Sequence, residues 1–296
     1  MENTHVLRHP GCTCGYPSPL PTRLLGQTGA AVTLFGLGGE GVLRIFDRAA
    51  EAVRVIHRAL EHGVNYCDTA PAYASSLDYY GAALGERRAE IFLASKTHDR
   101  TRDGSLRLLE QSLRRLRTTH LDLWQLHDLR TQSDLERIFG PGGALEALVQ
   151  ARAEGLVRFL GLTGHHDPAI LQEAMRRFPF DTALLALNAA DIHRLAFIPT
   201  ALAAAAQQGM GVIGMKIYAA GALLGPDKLT AEDAMGYVLS LPGVSTVVVG
   251  CRTPTEVDDN VRIARQFAVF DPQHLRRLET RTAHYAAACI TYKKSA

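Results

Sequence analysis

From about residue 32 onward the chain alternates short apolar runs, rich in β-branched and aromatic residues, with longer stretches whose apolar positions recur at helical spacing. Eight such runs predict strands at residues 32–37, 64–69, 91–96, 121–127, 159–163, 182–188, 211–216 and 245–250. Their starts lie 23 to 38 residues apart, room each time for one strand, one helix and two short loops. In the helical stretches Ala50, Val53, Ile56, Ala59 and Leu60 fall on one predicted face, and Leu106, Leu109, Leu113 and Leu116 on another. Asp167-Pro168 reads as an N-cap before an N1 proline, and Thr253-Pro254-Thr255-Glu256 as a capping box.

Eight βα units without a Pro- or Ser-rich linker predict an α/β protein built as one (β/α)8 TIM barrel. A doubly wound open sheet fits less well. Gly36-Leu37-Gly38-Gly39-Glu40-Gly41 matches the dinucleotide fingerprint of such sheets only loosely. The single domain spans 1–296, with an arm over 1–22, the barrel over about 23–268, and a C-terminal helix and tail over 269–296. Residues 23–31, with Gln27-Thr28-Gly29 as turn, predict a hairpin across the barrel bottom, and residues 272–286 a terminal helix.

Composition narrows the partners. Hydrophobic residues make up 47% of the 296, charged residues 21%, and the formal net charge is +2, a balance that argues against nucleic acid or a membrane surface and for a small molecule. Cys12, Cys14, Cys67, Cys251 and Cys289 are an odd set, poor material for a disulfide framework, so a reducing, cytoplasmic location is expected. No apolar run is long enough to span a membrane, and no signal-peptide core follows Met1. Cys12-Thr13-Cys14 has no matching pair, and His165 and His166 point differently without a third ligand, so no metal is expected. Cys67 and Trp124 read as core, and Lys293-Lys294 as a solvated tail. The oligomeric state is open.

Barrel chemistry sits at the C-terminal ends of the strands. Asp68, Lys96 and His127 end the second, third and fourth strands, and Tyr73 follows Asp68 in a short loop. A phenol with a pKa of about 10 protonates a carbonyl poorly unless its anion is stabilised. Lys96 supplies such a charge and is expected to lower the Tyr73 pKa, with Asp68 holding the ammonium and His127 orienting or relaying. This set handles a proton but lacks an electron source, so a hydride-carrying cofactor is implied.

Val64-Asn65-Tyr66-Cys67-Asp68-Thr69-Ala70 with Tyr73, Ala94-Ser95-Lys96-Thr97, Asp122-Leu123-Trp124-Gln125-Leu126-His127, Gly36-Leu37-Gly38-Gly39 and the stretch from Gly250 to Asn260 together resemble the aldo-keto reductase superfamily over about 230 residues. Met215-Lys216 and Leu162-Thr163-Gly164-His165-His166 resemble a bacterial branch of it. The resemblance implies a catalytic tetrad of Asp68, Tyr73, Lys96 and His127 and NADPH, rather than NADH, as cofactor. It implies Arg252 for the 2′-phosphate, Asn260 for the adenine, Gly250 and Glu256 for the surrounding wall, and Gly39, Asp68, Thr163, Asn188 and Lys216 as further cofactor contacts. The chain departs from the family where a Ser-Asn pair, a Gln and an aromatic ring usually hold the nicotinamide: Thr163-Gly164, Leu184 and Met215 stand there. Glu40 replaces an aromatic pocket residue and is expected to meet a polar substrate. The implied activity is NADPH-dependent reduction of an aldehyde or ketone. Its rivals are a nicotinamide-binding sensor with vestigial turnover and a barrel lyase or isomerase using Tyr73 and Lys96.

Overall fold

Two short strands precede the barrel in the computed structural model, which describes residues 19–294; Cys12 and Cys14 lie outside them. β1 (Thr22–Leu24) and β2 (Ala31–Thr33) pair antiparallel, Leu24 opposite Ala31. Between them Gly26 adopts φ +53°, and a Cβ there would lie 2.2 Å from the Gly211 amide nitrogen. The hairpin turn therefore presses on the start of a barrel strand, a contact only glycine permits. Leu25 and Val32 project from the hairpin into an interior cluster with Tyr66, Phe92, Ala94, Leu123, Leu184, Ile213 and Val248, closing the barrel bottom as expected.

The eight barrel strands are β3 (Phe35–Gly38), β4 (Tyr66–Asp68), β5 (Phe92–Thr97), β6 (Leu121–Leu126), β7 (Val157–Gly164), β8 (Thr182–Ala186), β9 (Gly211–Met215) and β10 (Val244–Val249). All neighbours run parallel, and β10 pairs with β3 to close the ring. The predicted strand 32–37 is two strands: Ala31–Thr33 belongs to the hairpin and Phe35–Gly38 to the barrel. Asn65 causes the break. Its side chain accepts from the Thr33 amide (2.7 Å) and donates to Ala31 O (2.9 Å), taking up backbone groups that a continuous barrel strand would pair.

Helices coat the barrel. Ala49–Glu61 buries Ala52, Val55, Ile56, Ala59 and Leu60, so the predicted face is corrected at two positions: Ala50 is exposed and Val53 only half-buried. Ala50 lies about 200° around the helix from Ala52 and cannot share its face. Arg102–Leu116 buries Ser105, Leu109, Ser112 and Leu116, with Leu106 and Leu113 flanking. The predicted terminal helix ends early: Pro272–Thr282 is helical, and a tighter turn separates it from the short helix Ala286–Cys289. No helix among the described residues is long and apolar enough to cross a membrane.

Candidate active site

Period-two alternation along β4, β5 and β6 turns Asp68, Lys96 and Gln125 toward the barrel axis near its C-terminal rim. Lys96 is wholly buried, its ammonium paired to Asp68 Oδ1 and donating to Thr69 O at 2.9 Å. Gln125 Nε2 donates to the second Asp68 oxygen at 3.3 Å. Burial alone would discharge Lys96, but Asp68 and Tyr73 outweigh it and raise its pKa, so the ammonium persists. On Asp68, burial pushes the carboxyl up against the pull of Lys96.

Tyr73 comes from the loop after β4, which is fastened at several points. Tyr73 N donates to Ala70 O at 3.0 Å, Ser76 N to Tyr73 O at 2.8 Å, and the Thr69 and Ser76 hydroxyls meet at 2.8 Å. The Lys96 ammonium lies 4.7 Å from the centre of the Tyr73 ring, and the His127 ring stands edge-on to it at 5.6 Å. The four residues predicted to act together do converge. The expected direction of the Tyr73 pKa, however, is corrected. Burial raises the phenol and wins; attraction to the Lys96 charge only offsets part of it. His127 is held well below the ordinary histidine value by burial and then by the positive charge of Lys96 and Arg100, so its ring is neutral. Its Nδ1 has no partner among the described residues.

Around this centre the loops after β3 and β10 interlock. Gly41 has φ +66°, a Cβ there would meet Cys251 O at 2.3 Å, and Val42 N donates to Cys251 O at 3.0 Å. Gly39 packs as tightly against the Asp68 carbonyl, and Gly250 against Glu40. Glu40 pairs with Arg44 at 3.0 Å, and the Arg44 guanidinium lies 5.4 Å from the centre of the Tyr73 ring. Sequence reasoning passed over Arg44, because one arginine in a loop carries no pattern.

The other predicted contacts divide into two groups. Lys216 and Arg252 lie in the loops after β9 and β10, and neither has a carboxylate partner among the described residues. Thr163 is buried on β7. Asn188 and Asn260, by contrast, are occupied by the protein. Asn188 donates to Lys216 O (3.2 Å) and the Tyr292 hydroxyl (3.0 Å) and accepts from Ala190 N (2.9 Å). Asn260 donates to Glu256 O (2.7 Å) and accepts from the Tyr218 hydroxyl (2.7 Å). The capping box at Thr253 forms by half. Thr253 Oγ1 accepts from Glu256 N, but the Glu256 carboxylate takes the Arg252 amide at 2.7 Å, one residue earlier than predicted.

The departures from the family pattern are built into the packing. A Cβ at Gly164 would meet Leu171 at 2.8 Å and Leu129 O at 3.0 Å, leaving no room for a side chain. Leu184 belongs to the apolar interior, with half-buried Met215 packed against it. Cys67 is inert core, its thiol pushed up to about 12 by burial, and Trp124 is buried as expected. His165 Nε2 lies 3.2 Å from Asp128 Oδ1, while His166 Nδ1 faces Tyr292 O at 3.4 Å.

Lys293-Lys294 is no solvated tail. Lys293 is buried against Asp191 Oδ1 (2.5 Å) and donates to Arg194 O (2.7 Å), and Lys294 pairs with Asp167. Tyr292 lies edge-on to His165 at 5.7 Å and carries the Lys216 ammonium 5.3 Å from its ring centre. The tail thus straps the loops after β7, β8 and β9. Only the fold could reveal this, because Asp191 lies 102 residues from Lys293.

A closed barrel whose buried ion pair, phenol and imidazole gather at its C-terminal rim has the layout of a barrel enzyme. The model of the Aldo/keto reductase family matches residues 39–235; the chain belongs to that family and is an oxidoreductase. It is similar to the uncharacterized oxidoreductase YqkF of Bacillus subtilis (strain 168), 23% identical over 286 residues that cover 82% of this chain and 90% of that one. Its structure is similar to the holo form of an aldo-keto reductase from Bacillus halodurans, with a TM-score of 0.73 and 25% identity over 88% of this chain and 96% of the other. It is also similar to an aldo-keto reductase from Klebsiella pneumoniae in complex with NADPH, with a TM-score of 0.70 and 22% identity over 87% and 94%.

Proposed function

We propose that the protein reduces an aldehyde or ketone to an alcohol with NADPH, Tyr73 being the proton donor. The observation that carries this reading is the wholly buried Lys96 ammonium, fixed by Asp68 and set 4.7 Å from the centre of the Tyr73 ring. A phenol raised by burial stays protonated through neutral pH, the resting state a donor requires. When it gives up its proton to a carbonyl oxygen, the phenolate forms beside a permanent positive charge, which favours the transition state more than the ground state. Asp68 keeps that charge in place. Neutral His127, edge-on to the phenol, orients the carbonyl oxygen by hydrogen bonding.

The residues present suit a dinucleotide phosphate. Lys216 and Arg252 offer two cations without carboxylate partners among the described residues, Arg252 standing just before the N-terminus of the helix Pro254–Gln266. The NADPH complex of the Klebsiella pneumoniae enzyme supports the same cofactor here. Bound there, NADPH supplies the hydride. Lys216, Arg252 and Thr163 would hold it, with Gly39 and Gly250 as close-packed wall and Arg252 selecting for the extra phosphate. Asn188 and Asn260 would shape the rim by fixing Lys216 and the Glu256 turn. The test is NADPH fluorescence on binding, followed by its oxidation with a panel of aldehydes and ketones. Binding with turnover that Tyr73→Phe removes supports the reading; binding without turnover supports a sensor, and no binding a lyase.

A further inference from the structure

The turn that ends β6 carries His127 and then Asp128, whose backbone is left-handed at φ +55°. Aspartate is one of the few non-glycine residues that tolerate this conformation, and Arg100, from the loop between β5 and the helix Arg102–Leu116, holds it in place. Its Nη1 donates to His127 O at 2.8 Å, its Nη2 to Asp128 O at 2.9 Å, and its Nε to Asp134 Oδ1 at 2.9 Å. The guanidinium is largely buried, and each end of the clamp is anchored. Arg100 O accepts from Ala144 N at 3.0 Å. Asp134 is fixed as the N3 residue of the Thr131 capping box and accepts from the Arg130 amide at 2.9 Å. Asp128 is tied by its carboxylate to Arg130 at 2.7 Å.

The His127 ring needs such a clamp because it lacks the usual one. A catalytic imidazole is commonly aimed by a hydrogen bond to its second nitrogen, whereas His127 Nδ1 has no partner among the described residues. Its direction toward Tyr73 therefore follows from where its backbone is held. We infer that Arg100 is a positioning residue that acts through His127, fixing the imidazole over the reacting oxygen without touching substrate or cofactor. A lysine could not replace it, since its donors radiate from one nitrogen, whereas the two carbonyls and the carboxylate here are each met by a different nitrogen of the guanidinium.

The inference rests on the role proposed for His127, and a double-mutant cycle separates the two. Arg100→Ala is expected to lower kcat by about tenfold or more, the scale of a misaimed catalytic group. The substrate KM and the NADPH dissociation constant should stay within about twofold, because neither ligand is touched. Millimolar guanidinium added to Arg100→Ala should restore part of kcat, and Arg100→Lys should remain impaired. In the His127→Ala background, Arg100→Ala should cost nothing further. If the two losses multiply instead, or if cofactor affinity falls in step with kcat, Arg100 is only a structural residue. If His127→Ala alone leaves kcat unchanged, the role of His127 fails first. Should Arg100→Ala not fold, the same cycle is run with Arg100→Lys.

Discussion

Replacing Lys96 with methionine tests the centre of the site without any assumption about substrate. Methionine fills much of the same volume but leaves Asp68 as a buried carboxylate whose one remaining side-chain donor among the described residues is Gln125, at 3.3 Å. Lys96 is fully buried and Asp68 almost so, and breaking such a pair by removing one partner costs about 3–5 kcal/mol. For a domain of this size that corresponds to a fall in Tm on the order of 10 °C. The loss should depend on pH in a definite direction. Burial already raises Asp68 in the intact protein, and without Lys96 the folded carboxyl lies still further above its unfolded value. The folded state then binds a proton more tightly than the unfolded state, so stability is highest in acid and is lost as pH rises through the raised folded value. Thermal and urea denaturation of wild type and Lys96→Met across the acid to neutral range measures both effects. The double variant Asp68→Leu/Lys96→Met should recover most of the stability, because an apolar pair removes the stranded charge. A single-variant loss below about 1 kcal/mol, or one that does not change with pH, would refute the buried-pair argument.

Tyr73→Phe should lower kcat by about 10²–10⁴-fold while NADPH affinity stays within a few-fold, checked by steady-state kinetics beside cofactor fluorescence. A parallel loss of affinity would move Tyr73 from the reaction to the binding site. Arg252→Ala should weaken NADPH by roughly tenfold or more and NADH little, since a charge-assisted hydrogen bond contributes about 1.5–3 kcal/mol; titrating both cofactors decides it. Lys293→Met should strand Asp191 as Lys96→Met strands Asp68, and should release the tail, seen as faster proteolysis of the C-terminal segment and a lower Tm. If the tail stays protected, Lys294 and Tyr292 suffice to hold it.

The barrel was legible because its signals are local. For β6, the run 121–127 differs from the observed Leu121–Leu126 by one residue, and β9 is as close. β-branched and apolar clusters bounded by Gly, Asp or Lys leave few other readings. The break between β2 and β3 was not legible, because Asn65, in the sequence neighbour of β4, reaches across 32 residues to occupy the Thr33 amide. The tetrad was legible as residue types at strand ends, since strand register brings Asp68, Lys96 and His127 to one rim whatever their surroundings.

What strand register could not convey is the balance of forces at that rim. Opposite charge alone predicts that Lys96 acidifies Tyr73, yet the phenol is half-buried, and desolvation of its anion outweighs the attraction. The same rule explains the tail. Two lysines near the end of a chain suggest water, but Lys293 meets a carboxylate and two carbonyls that the fold has already gathered, so burying it leaves no donor unmatched. In both places solvation decided the outcome, and solvation depends on neighbours that are distant in the chain. Arg100 is a third instance: it lies with two other arginines in a stretch of eight residues, and only its carbonyl partners at His127 and Asp128 distinguish it from a surface charge.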